Sequence, residues 1–475
     1  MNNALKPDLC IIGAGSGGLA VAAGAAQMGA SVVLIEQDKM GGDCLNTGCI
    51  PSKALLAAGK CASLPKSTYP FGIKSQIPTV DFQAVHNHIS EVIAGIAPHD
   101  SVERFEGLGV KVIHGTAAFI SKREVLVNGQ TVRARRFVVA TGSSPVVPQI
   151  DGLTDTPYLT NASVFDLTEE PYHLIVIGGG PMGCELAQAY RNLGCQVTII
   201  EAFSILNKED PDLVAVVRAS LTCQGVTIIE GARVLRTEKK AFGIAISIER
   251  GGTTEIIEGS HLLVAVGRRA RVEDLCLEAA TIKCSAKGID VDAFLRTSNR
   301  RVYAIGDCTG GPQFTHVAGY HAGIVIRSAL FRLPTKTDHS AVPRVTYTDP
   351  GLAQVGLTES QAREKYGNGI HVVSLSLDEN DRAQAERQTH GLIKAVIAKN
   401  GRILGCGISG PKADELIQVW ILALSQKLKI GAIATMIMPY PTFGEVSKRA
   451  AGMYFSPKLF SAPTRALVRF LSLFG

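Results

Sequence analysis

"DLCIIGAGSGGLAVAAGAAQMGASVVLIE", residues Asp8 to Glu36, passes from an apolar run through glycines and small residues into a second apolar run. Leu9 to Ile12 reads as a strand, Gly17 to Met28 as a helix of small residues, and Ser31 to Ile35 as a second strand. Gly13, Gly15 and Gly18 stand in G-x-G-x-x-G spacing, and Glu36 follows Gly13 by 23 residues. A strand before, a helix after and an acid about 20 residues on are the context that gives this spacing its meaning as a dinucleotide site. The glycines let the backbone approach a pyrophosphate, whose charge faces the helix N-terminus, and Glu36 would accept hydrogen bonds from a ribose diol. Leu9 to Ile35 is uncharged and long enough to span a bilayer. Its six glycines and the absence of a basic flank before it favour the strand, turn and helix instead.

The pattern returns at "HLIVIGGGPMGCELAQAYRNLGCQVTIIE", with Gly178, Gly180 and Gly183, and with Glu201 again 23 residues after the first glycine. Two copies predict two dinucleotides. At the second, Glu201 can bind a 2′-hydroxyl but repels a 2′-phosphate, so NADH is expected over NADPH. Lys208 is the nearest base. "RRFVVATGSSPVVP", Arg135 to Pro148, and "HLLVAVGRRA", His261 to Ala270, each read as a strand ending in glycine, the first at Thr141–Gly142 and the second at Gly267. "RVYAIGDCTG" places Asp307 just after another strand, where it could meet ligand hydroxyls or cap a helix.

A chain of 475 residues is long for a single core, and 46% hydrophobic with 19% charged residues describes a globular protein. The net charge of +6 is spread without a basic stripe, so nucleic acid is not an expected partner. The eleven cysteines are mostly single, and Cys10, Cys195 and Cys223 read as small buried hydrophobes. That usage, with no secretory signal read, points to a reducing, cytoplasmic setting.

"GGDCLNTGCIPSKALL", Gly41 to Leu56, holds the exception, Cys44 and Cys49. A metal site would need companion ligands, and no CxxC or histidine pair lies nearby. A structural bridge closing so small a loop constrains little and does not persist in a reducing compartment. A redox disulfide is left. Residues five apart on a regular helix point about 140° away from each other. A disulfide brings Cα atoms within about 7 Å, so the pair requires a distorted helix start, which Gly48 and Pro51 permit.

With these motifs the chain resembles the flavoprotein disulfide reductases, whose members include dihydrolipoamide dehydrogenase and mercuric reductase, from about Pro7 to Gly452. The resemblance implies an α/β fold of two Rossmann-like dinucleotide-binding domains and an α+β C-terminal dimerisation domain. The first glycine turn, with Gly42, Lys53, Thr141, Gly142 and Asp307, would hold FAD; the second, with Glu201 and Gly267, would hold NADH. Cys49 would lie against the flavin and Cys44 would exchange with substrate. Lys53 would sit beside flavin N5 with Glu185 as its partner. The implied division is residues 1–148 and 271–340 for FAD, 149–270 for NAD, 341–455 for the homodimer interface, and 456–475 as an apolar, basic tail.

Two departures bear on the substrate. In "MPYPTFGEVSKRAAG", Glu445 matches a glutamate that in the family reaches across the dimer with a histidine to serve as acid and base, but Tyr440 stands where disulfide-reducing members have that histidine. A phenol is a poor base at neutral pH, so lipoamide turnover is expected to be slow. Mercuric reductase resembles the chain in having tyrosine there, yet no cysteine follows Cys406. Asp43, where lipoamide dehydrogenases usually have threonine, should raise the Cys44 pKa and favour small or cationic acceptors over an anionic one. The expected activity is electron transfer between NAD(P)H and a dithiol or disulfide, a lipoyl-carrying protein included. The alternatives are a metal reductase and a flavin relay to a protein or membrane partner. For the tail, packing on the chain's own surface competes with contact to a membrane or partner.

Overall fold

The computed structural model describes residues 4–474. Three sheets organise the chain. The first is parallel, in the order Val302–Ala304, Arg136–Val139, Leu9–Ile12 (β1), Val32–Glu36 (β2) and Val110–His114. β1 and β2 are buried throughout, as uninterrupted apolar strands covered on both faces must be. The helix between them, Ser16–Gln27 (α1), spans the small-residue run within a residue at each end of the expectation. Its small side chains let the helix Thr315–Ala329 pack closely. A Cβ at Gly17 would lie 3.1 Å from the Ile305 side chain and 3.2 Å from Ala318 Cβ.

The second sheet repeats the plan with Thr227–Glu230, Gln196–Glu201, His173–Ile177 and His261–Val264, all parallel. The strands ending near Thr141 and Gly267 thus lie beside the first strand of their respective sheets. The third sheet is antiparallel: Arg344–Thr346, Gly351–Gly356, Ile403–Gly410, Leu392–Ala398 and Ile370–Ser376. Trp420 is fully buried in the core beside it, with its indole N–H donating to Ser447 Oγ at 3.0 Å. The architecture is the expected one of two Rossmann-like domains and a C-terminal α+β domain.

Two expectations need correction. Cys10 and Cys195 are buried, but Cys223 is exposed, because it ends the helix Pro211–Cys223 on its outward side just before the turn at Gly225. The tail forms an amphipathic helix, Ala462–Leu471, none of whose residues is buried, so it does not pack into the chain's own surface. No described helix is long and apolar enough to cross a membrane, and Leu9–Ile35 is strand, turn, helix and strand.

Candidate functional site

The two glycine turns are built alike. Gly13 and Gly178 have φ of +102° and +108°, a conformation glycine adopts without strain. A Cβ at Gly18 would collide with the Gly13 carbonyl oxygen, and one at Gly183 with the Gly178 carbonyl. The middle glycines differ from these. Gly15 and Gly180 are extended helix N-caps with no side-chain cap and nothing within 4 Å of an added Cβ. Each therefore leaves first-turn N–H groups facing open space, a cradle suited to a phosphate. Gly142 and Gly267, both at positive φ, are equally open.

Each closing acid supports its turn. Glu36 Oε2 accepts from Ala14 N at 2.6 Å, and Glu201 Oε2 accepts from Gly179 N at 2.7 Å. Their other oxygens accept from Asp38 N and Phe203 N, which holds both carboxylates at the strand ends. Gly42 approaches Gly15 so closely that a Cβ there would lie 2.8 Å from Gly15 Cα. Asp307 does not cap a helix. It lies within the short 3-10 helix Gly306–Thr309 beside the first sheet and accepts from Ser143 Oγ at 2.6 Å, and burial raises its pKa. These features fit two dinucleotides.

The cysteines sit across a helix break. Gly42–Asn46 (α2) ends before Thr47 and Gly48, whose φ and ψ leave the helical region, and Cys49–Ser63 (α3) begins at the second cysteine. The break brings Cys44 and Cys49 within hydrogen-bonding reach, and both are free thiols. Their acidities diverge. The Cys49 pKa is lowered to about 6, first by the hydrogen bond from Cys44 and against the opposing effect of burial. Thr315 Oγ1, 3.3 Å away, and the Lys53 charge contribute to the same lowering. Cys44 is pushed up, first by that same hydrogen bond and then by burial, with Asp43 adding a smaller push.

α3 packs against the helix Pro181–Asn192 at Gly59, where a Cβ would lie 2.9 Å from Ala189 O. This contact brings Lys53 to Glu185, with Nζ 2.8 Å from Oε2. Glu185 is 5% exposed, and its other oxygen accepts from Tyr347 N at 2.9 Å. The Tyr347 ring lies 4.1 Å from Lys53 Nζ. A buried carboxylate and an aromatic face thus fix one cation beside the thiol pair.

Tyr440 and Glu445 lie elsewhere, on the third domain. Tyr440 is 69% exposed and donates to Asp381 Oδ2 at 2.9 Å, a bond that raises its pKa and keeps the phenol protonated. Glu445 opens the helix Glu445–Met453. Among the described residues no hydrogen bond or ion pair joins either to the cysteines.

Sequence reasoning missed Thr315, Tyr347, Asn161 and Arg268. Asn161 Nδ2 donates to Asp43 Oδ1 at 3.0 Å, and Arg268 pairs with Asp43 at 3.2 Å while donating to Ser143 Oγ at 2.8 Å. The chain Asp43–Arg268–Ser143–Asp307 thereby joins the cysteine loop to the first dinucleotide cradle. Arg268 Nη1 is buried without a hydrogen-bond partner among the described residues, a donor left for a ligand. Arg268 follows the glycine of "HLLVAVGRRA", and that position was its only signal.

Residues 7–322 match the model of the pyridine nucleotide-disulphide oxidoreductases, and residues 342–451 match their dimerisation domain. The chain is 37% identical over 447 residues to a mercuric reductase of Staphylococcus aureus, covering 94% of this chain and 82% of that protein. It is 36% identical to a dihydrolipoyl dehydrogenase of Geobacillus stearothermophilus, covering 94% and 96%. Among solved structures, the Cu(II) complex of the HOCl-induced flavoprotein disulfide reductase RclA from Escherichia coli superposes with a TM-score of 0.84 at 30% identity. That superposition covers 94% of this chain and 99% of the other.

Proposed function

The chain belongs to the pyridine nucleotide-disulphide oxidoreductases, and from that premise we propose that it is an NADH-linked FAD enzyme passing electrons through Cys44 and Cys49. Held in the first cradle by residues such as Gly15, Glu36 and Asp307, FAD would supply the two-electron link between the nicotinamide and the disulfide. The observation that carries this reading is the unequal pair: an acidic Cys49 held by Cys44, Thr315 and Lys53, and a Cys44 whose thiol is kept protonated. Cys49 can persist as a thiolate at neutral pH, and transfer of the Cys44 proton to it frees Cys44 to bind an acceptor. Residues 1–148 and 271–340 serve the FAD side, 149–270 the NAD side and 341–455 a homodimer. Glu201 sets the nicotinamide preference: kcat/KM should favour NADH over NADPH, and a preference for NADPH would remove Glu201 from that role.

The acceptor best served is one that needs no positioned base, a thiophilic metal ion. Two thiolates bind it, the pair closes to a disulfide, the two electrons reduce one Hg(II) to Hg(0) or two Cu(II) to Cu(I), and the thiol protons pass to solvent. The bonded, exposed phenol of Tyr440 favours this reading, as does the likeness to mercuric reductase. The second reading, a lipoyl-like dithiol or disulfide in the cytoplasm, is favoured by the near full-length match to dihydrolipoyl dehydrogenase. Rates with Hg(II), Cu(II) and lipoamide separate the two, and faster turnover of lipoamide than of either metal would reverse their order. Tyr440→His is expected to speed lipoamide reduction, since in the proposed homodimer it would bring a general base to the partner subunit's cysteines, and a positioned general base contributes about 10²- to 10⁴-fold. Cys49→Ser should abolish turnover of every acceptor while NADH still bleaches the flavin. Undiminished turnover would make the pair incidental and the protein an electron relay.

A further inference from the structure

The tail beyond the matched dimerisation domain, which ends at residue 451, has chemistry of its own. Residues 452–475 contain three basic residues, Lys458, Arg465 and Arg469, and no acidic one. Ser461 caps the helix Ala462–Leu471 through its side chain. At about 100° per residue, Pro463, Leu467, Phe470 and Leu471 share one side, and Arg465, Arg469 and Ser472 share the other. The apolar side is uncovered: Leu467 is 54% exposed, Phe470 57% and Phe474 74%. No carboxylate pairs with Lys458, Arg465 or Arg469 among the described residues. The Arg465 guanidinium donates to the Phe460 carbonyl at 2.8 Å, which ties the helix to the turn before it and leaves the charge uncompensated.

We propose that this helix is an interfacial anchor that lays its Leu and Phe side chains into an anionic lipid surface while Lys458, Arg465 and Arg469 meet the headgroups. Charge complementarity selects this occupant. A basic, acid-free helix with a separate aromatic and aliphatic side matches the physics of interfacial binding. Pairing with the same helix of a second copy would set like charges together with no acid to offset them. The inference does not depend on which acceptor the cysteines serve.

The test is cosedimentation of the FAD-loaded full chain with vesicles. Half of the series would contain phosphatidylglycerol and phosphatidylcholine in equal parts, the other half phosphatidylcholine alone. The chain should pellet with the anionic vesicles at low salt, be released by high salt, and stay in solution with the neutral ones. Leu467→Glu with Phe470→Glu should cut the bound fraction by about tenfold or more, with NADH oxidation in solution unchanged. Equal binding to both vesicles, or to neither, would overturn the proposal. So would a double variant that alters the oligomeric mass in solution but leaves vesicle binding intact.

Discussion

Cys49 gathers the influences that decide how the redox pair behaves. Donation from Cys44, the Thr315 hydroxyl and the Lys53 charge each favour the thiolate, and together they outweigh burial. Its folded pKa therefore lies below that of a free thiol. The thiolate predominates above about pH 6 and is lost as the pH falls through that value. Alkylation of the reduced protein by iodoacetamide should follow that midpoint at the first residue to react. Thr315→Val should move the midpoint upward, because a bond to the charged form is removed while the loop is kept. An unshifted midpoint would leave Thr315 with no part in setting the acidity. The motif shows part of this acidity, the Lys53 charge beside the thiol, but not the part that Thr315 adds. Cys44, Cys49 and Lys53 are neighbours in sequence, whereas Thr315 arrives from 266 residues away by the packing of its helix against α1.

The strand, turn and helix unit is the element that sequence displays best. Its glycine spacing, apolar strands and closing acids fix both copies to within a residue or two, because each requirement is local: backbone close approach, burial on both faces, a carboxylate at a strand end. The helix break between the cysteines was legible for the same reason, in Gly48 and Pro51. The network from Asp43 through Arg268 was not, since strand pairing between Arg268–Ala270 and Ser143–Pro145 brings it together across the interval between the two sheets. The three glycines of a turn should also respond differently to a methyl group. Gly183→Ala would collide with the Gly178 carbonyl oxygen and damage the fold. Gly180→Ala meets no protein atom within 4 Å but occupies the cradle. It should raise KM for NADH by about tenfold while costing under about 1 kcal/mol of stability, as an N-cap change does. An unchanged KM would mean the phosphate lies elsewhere.

At the scale of the molecule, Lys394 holds the third domain to the second sheet's flank. It is buried on the strand Leu392–Ala398, 3.0 Å from Asp210, 2.5 Å from Asp212 and 3.1 Å from Glu359. Burial alone would lower its pKa, but the bonds to these carboxylates hold it raised. Lys394→Met would leave three acids without their shared cation. It is expected to destabilise the chain by about 3–5 kcal/mol, read as a lower urea midpoint. No change in the midpoint would show the junction to be held by apolar packing. The order of strands in the first sheet has a consequence for how the chain is made. Its edge strand, Val302–Ala304, and the helix Thr315–Ala329 that covers α1 follow the whole second sheet in sequence. During synthesis the second sheet can close while the first still waits for its last pieces, so the amino-terminal third emerges earliest from the ribosome and is the later of the two to finish folding.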